Sequence, residues 1–176
     1  MFFFKYANNL SHPSSPFPTG ATIDESLKSS PRNSEVHSYK GELHFTSGDI
    51  ASALKEFEIA IECEPLNPTP YVNAALAVQN QQPTPGGTPD FARAIEYFNK
   101  ALEVDPQFQA AYIHLGQLML SLAKSLDDAI PVIELYEKGI RECRTEDETR
   151  DIVRMRVLAK AQLRAAVILG MKHIGL

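Results

Sequence analysis

Tryptophan is absent from this 176-residue chain, and cysteine is nearly so: Cys63 and Cys143 are its only two. They form no CxxC pair and no zinc-ligand spacing. They read as reduced packing residues in a reducing compartment, not as a disulfide. Long apolar runs are missing too. Nothing approaches the roughly 20 residues that a membrane-spanning helix needs. MFFFKY is too short for the apolar core of a secretory signal. Catalytic signatures are equally scarce. His12, His37, His44, His114 and His173 make no HExxH. No GxSxG and no Walker loop occur, and Glu56, Glu58, Glu62 and Glu64 are spread over a helix surface. Gly86-Gly87, within QQPTPGGTPD, lacks the following GK[ST] and a preceding strand, so it reads as a plain exposed loop. The chain is expected to be no enzyme and to need no cofactor or metal.

What is present is globular: 44% hydrophobic and 22% charged residues. Net charge is −5, unevenly placed. Residues 150–176 carry six Lys/Arg against one acid, while residues 1–149 hold eleven bases against twenty-one acids. An acidic body argues against nucleic acid as a partner.

The chain is organised around Phe91–Pro106, FARAIEYFNKALEVDP. Ala94, Phe98 and Ala101 stand at i, i+4 and i+7, on one helical face, and Pro106 follows where a helix stops. ASALKEFEIAIECEP repeats the arithmetic with Ala53, Phe57, Ala60 and Pro65. An aromatic between two small residues lets a second helix approach closely at both ends and anchor in the middle. Gly41 lies twelve residues before Ala53, where the partner helix crosses with no side chain in the way. Gly48-Asp49 supplies the turn.

This spacing resembles the tetratricopeptide repeat (TPR), a helix–turn–helix unit of 34 residues. With Gly41 as position 8, the repeat starts at Ser34. The signature positions 20, 24, 27 and 32 then fall on Ala53, Phe57, Ala60 and Pro65. The resemblance implies an all-α TPR solenoid of about three repeats, at 34–67, 68–108 and 109–144. In the second repeat Ala75 replaces the glycine and the turn carries an insertion. The third has Tyr112, Leu115 and Gly116 in place and aligns its second helix on Tyr136 and Gly139. Ser34 is read as the first N-cap, with helices at 34–46, 50–63, 69–82, from Thr88-Pro89 onward, 108–123, and from Asp127 or Asp128 to Cys143.

Residues 1–33 are rich in proline and serine, show no helical period and read as a disordered tail. Residues 145–176 read as a long capping helix, opened by the capping box Thr145 to Glu148. Its stripe is Ile152, Met155, Ala159, Leu163 and Ala166. Arg154, Arg156, Lys160 and Arg164 lie off the stripe on a face read as solvated.

The TPR resemblance places a peptide groove on the first helices of the repeats: Glu35, Ser38, Glu42 and Phe45, then Val72, Asn73, Leu76 and Gln79, then Ile113, Gln117 and Leu120. An apolar strip with polar edges suits an apolar segment or an amphipathic helix. One TPR subclass clamps the terminal carboxylates of chaperone tails. At its five clamp positions this chain has Ser38, Glu42, Asn73, Ala110 and His114, of which Asn73 alone matches.

The order of SPRNSEVHSYKGELHFTSGDIASALKEFEIAIECEPLNPTPYVNAALA, then DFARAIEYFNKALEVDPQFQAAYIHLGQLMLSL, then IELYEKGI, RTEDE and a long alanine-rich helix narrows the resemblance. Over residues 30–170 it resembles the C-terminal repeats of the large receptor subunit of the fungal mitochondrial outer membrane translocase (TOM complex). That resemblance implies binding of mitochondrial precursor proteins and contact with other TOM subunits. It also implies a place at the cytosolic face of the outer membrane. Chaperones would act through a further domain, and both that domain and a membrane anchor are expected to lie outside this chain. The alternative is a generic TPR scaffold or co-chaperone in an unrelated assembly.

Overall fold

The computed structural model describes residues 20–81 and 89–168. All its regular elements are α-helices: α1 Gly20–Ser29, α2 Ser34–Thr46, α3 Ile50–Cys63, α4 Pro68–Asn80, α5 Phe91–Val104, α6 Gln109–Leu122, α7 Leu126–Glu142 and α8 Glu146–Ile168. The chain divides within α5, between Lys100 and Ala101, into two compact units.

In the first unit, α2 and α3 form a hairpin. Its turn works because Gly48 takes φ of +86°, a left-handed conformation that glycine adopts at no steric cost. The Asp49 carboxylate then accepts the Ser52 N–H at 3.1 Å and caps α3. Phe57, Ala53 and Ala60 are fully buried. Burying a side chain the size of Phe57 contributes about 1.5–3 kcal/mol. α4 packs on α3 and also touches α2. It is started by Asn67, which accepts the Thr69 N–H at 3.1 Å, with Pro68 at the first helical position. Ala94 and Phe98 of α5 are also fully buried.

Four expectations for this unit are corrected. Residues 20–29 are a helix and not part of a disordered tail; residues 1–19 lie outside the described residues. α1 packs on α2 through buried Ile23 and half-buried Leu27, one turn apart. Two large apolar residues in ten are too few to register as a period, so tertiary packing decides. The N-cap of α2 is Asn33, which accepts the Val36 N–H at 3.1 Å. Ser34 is buried and donates instead to the Ala60 carbonyl at 3.0 Å, tying the open end of the hairpin. α4 begins at Pro68 and stops at Asn80, two residues before its expected end. α5 starts at Phe91, later than Thr88-Pro89, because Asp90 caps it by accepting the Arg93 N–H at 3.0 Å. The Gly86-Gly87 loop lies outside the described residues.

In the second unit, α6 and α7 form a hairpin and α8 packs on both. Ser125 and Asp128 make a reciprocal capping box that starts α7. Pro131 sits inside α7 on its exposed side. Thr145 and Glu148 make the expected box before α8: Glu148 N–H to Thr145 Oγ1 and Thr145 N–H to Glu148 Oε2, both 3.2 Å. Ile152, Ala159 and Ala166 are the buried stripe of α8, and Ala166 joins a cluster with Ala129, Leu120 and Leu163. The long helix is the cap expected of such a fold. Its basic face is not wholly solvated. Lys160 and Arg156 reach Glu137 of α7, at 3.3 and 3.8 Å. Among the described residues, no helix is long and apolar enough to cross a membrane.

Candidate functional site

In the first unit, the α2 stripe of Glu35, Ser38, Glu42 and Phe45 follows steps of three, four and three, so one helical face carries all four. Glu35 is exposed; the other three are half-buried. On α4, Leu76 and Gln79 are half-buried, whereas Val72 and Asn73 are 3% and 5% exposed and already covered. The structure joins two of these residues directly: the Asn73 amide donates to the Glu42 carboxylate at 3.4 Å. Burial pushes the Glu42 carboxyl above its ordinary value, and the Asn73 bond only partly offsets this. The two residues at clamp positions thus satisfy each other. Nearby, buried His37 sits between two acceptors, with Nδ1 2.7 Å from Glu56 Oε2 and Nε2 2.9 Å from the Pro31 carbonyl. Lys40 adds an ion pair to Glu56 at 3.1 Å. Glu56 and Glu58 are therefore engaged, Glu58 by Arg93 and by the Tyr97 hydroxyl at 2.8 Å.

In the second unit, Ile113, Gln117 and Leu120 lie on α6. Gln117 is exposed and the other two are half-buried. Gln117 and Leu120 line a groove of about 240 Å³. Ser121 of α6 and Tyr136 of α7 line it as well. The opposite wall is α8: Met155, Leu158, Ala159 and Gln162. These four recur at steps of three, one and three, so one flank of α8 faces the groove. Leu158 stays 51% exposed, which leaves an apolar rim open to a partner. Tyr136 is 1% exposed, and burial raises its hydroxyl to about 12, so it stays protonated and can donate at neutral pH. His114, a clamp position, is lowered to about 4 by burial and carries no charge at neutral pH.

The α8 wall is invisible to a reading by repeat position, because it lies outside the repeats. Met155 and Ala159 register in the sequence only as packing residues. Tyr136 carries one signal: it stands where Phe57 and Phe98 stand in the other hairpins, so packing there needs no hydroxyl. Among the described residues, no group of acidic, histidine or cysteine side chains could hold a metal ion.

A tetratricopeptide repeat model matches residues 89–142. The helical hairpins have the fold of tetratricopeptide repeats. The chain is similar to the mitochondrial import receptor subunit TOM70 of Saccharomyces cerevisiae, at 29% identity over 147 residues. The match covers 81% of this chain but 23% of that protein. The crystal structure of yeast Tom70 superposes with a TM-score of 0.67 at 25% identity, over 93% of this chain and 34% of that one. The TPR2B domain of yeast Sti1, solved in complex with an Hsp70 peptide, superposes with a TM-score of 0.58 at 26% identity. That match covers 76% of this chain and 99% of the domain. The chain thus spans under a quarter of the TOM70 sequence it matches, and its TPR fold is common to an import receptor and a chaperone-binding domain.

Proposed function

We propose that this chain is a protein-binding TPR module that receives apolar segments of precursor proteins bound for mitochondria. It would act at the cytosolic face of the outer membrane, beside other subunits of the import machinery. The observation that carries the reading is the open groove of the second unit. Its walls are apolar, Leu120, Met155 and Leu158, and its rim is exposed. Apolar walls with a few polar groups are the usual make-up of a peptide site. Similarity to TOM70 supports the import context.

The second reading, a co-chaperone, rests on the likeness to Sti1. The Glu42–Asn73 pairing and the uncharged His114 speak against it, since both sit where a carboxylate clamp needs free donors or positive charge. The deciding experiment is a titration of the intact chain with a labelled apolar segment of a mitochondrial carrier precursor. Leu120→Asp places a charge in the groove and should weaken binding at least tenfold, or about 1.4 kcal/mol. Unchanged binding would remove the groove from the site.

A further inference from the structure

The groove of the second unit has four polar side chains on an apolar lining. Two are already used. The Ser121 hydroxyl donates to the Leu118 carbonyl at 2.7 Å, and Gln117 bonds the His114 ring. Two are not. Gln162 Oε1 is buried and has no hydrogen-bond partner among the described residues. The Tyr136 hydroxyl makes no hydrogen bond among them either, but its oxygen is not fully enclosed and can be reached from the groove that Tyr136 lines. A buried acceptor such as Gln162 Oε1 is destabilising while it stays unmatched, because it has given up water for nothing. Packing gives no reason for this hydroxyl, because phenylalanine serves at the equivalent positions 57 and 98.

One site therefore carries an unmet acceptor and an unmet donor between apolar walls. A peptide unit has the complementary pair, a C=O to accept and an N–H to donate. In an α-helix both are consumed by the helix's own i to i−4 bonds. In an extended segment both are free, while alternate side chains can enter apolar walls. We infer that the groove binds its partner as an extended apolar segment, with Tyr136 donating to a backbone carbonyl and Gln162 accepting a backbone N–H, and does not bind an amphipathic helix. This rests on the proposed groove function and narrows it to one conformation of ligand.

The test uses the intact chain and three probes of one length. The first is an acetylated, amidated decapeptide alternating leucine and serine. The second is its analogue with the central leucines N-methylated on the backbone. The third is a lactam-stapled helix with its leucines on one face, at i, i+3, i+4 and i+7. Affinities are read by fluorescence anisotropy. The parent should bind at least tenfold more tightly than the stapled helix. Tyr136→Phe, which keeps the ring that packs elsewhere, and Gln162→Met should each weaken the parent about threefold to tenfold. N-methylation should weaken binding to the native chain and make no difference to the Gln162→Met variant. A stapled helix binding as tightly as the parent overturns the inference, as does a Tyr136→Phe/Gln162→Met double variant that binds the parent unchanged. If Leu120→Asp still abolishes binding in that case, the apolar groove stands and the backbone reading falls. If no probe binds, both fall.

Discussion

The ring of Phe57 occupies the space that a side chain on residue 41 would need: a Cβ there would lie 2.5 Å from Phe57 Cε1. The same relation holds between Gly116 and Tyr136, at 2.4 Å, and between Gly139 and the ring of Tyr112, at 2.8 Å. The α2–α3 and α6–α7 hairpins thus both close by seating an aromatic ring on a glycine backbone.

Gly41→Ala should therefore destabilise the chain, although alanine is the better helix former by about 1 kcal/mol. The methyl group meets a fully buried ring that must shift, and overpacking of this kind costs about 1–3 kcal/mol. Urea unfolding followed by circular dichroism measures the difference. A midpoint equal to or above that of the native chain would show that the ring relaxes freely.

This glycine–aromatic relation was legible in the sequence because it recurs at fixed spacing, and α2 and α3 took the expected bounds, 34–46 and 50–63. What escaped was whatever neighbours in sequence do not determine. Asn33 and Ser34 are equally good caps by residue type; the Ala60 carbonyl, 26 residues away, claims Ser34. Val72 sits at a repeat position that can face a ligand, yet it is 3% exposed in this structure. Gln117 and Leu120 were legible as groove residues from their repeat positions. Gln162 was not, since the groove exists only once α8 has packed on α6 and α7.

The His37, Lys40 and Glu56 cluster should make stability depend on pH. Burial alone would raise the Glu56 carboxyl, but the hydrogen bonds and charges of His37 and Lys40 outweigh it and hold it below its ordinary value of 4.5. A carboxyl lowered in the folded state contributes stability above pH 4.5 and loses it as pH falls through the folded-state value. Glu56→Gln should therefore destabilise the chain at pH 7, by about 1–2 kcal/mol for a hydrogen-bonded charge still partly open to water. The gap between the two proteins should close as pH falls below 4.5. A gap of constant size from pH 7 to pH 3 would show that shape, not charge, holds the cluster.

The basic face of α8 should matter little to an apolar partner. Arg156 and Lys160 pair with Glu137 at partly exposed positions, where such pairs contribute about 0–1 kcal/mol. Arg156→Glu with Arg164→Glu should leave the carrier-precursor affinity within about twofold at physiological salt, where the Debye length is about 8 Å. Measuring the titration at two salt concentrations checks this. Loss of binding in this variant, with normal binding in Leu120→Asp, would move the site from the groove to the outer face of the cap.

The chain should bind chaperone tails ending in Glu-Glu-Val-Asp poorly. A clamp for two terminal carboxylates needs donors that are free and positive charge that persists at neutral pH. In the first unit, Asn73 spends its amide on Glu42, and Glu42 itself presents an acid to an acidic peptide. In the second, His114 is neutral until about pH 4 and Ala110 offers no donor. Each substitution acts in the same direction, so the deficit does not hang on one residue. Isothermal titration of the native chain with such a tail peptide should give no binding in the micromolar range. Ser38→Lys with Glu42→Asn removes the repelling carboxylate and supplies a cation and a free amide. It should recover measurable affinity, threefold or more above the native chain. Micromolar binding by the native chain that is lost on Asn73→Ala would mean that the ligand displaces Glu42 from Asn73, and the co-chaperone reading would then replace the import reading.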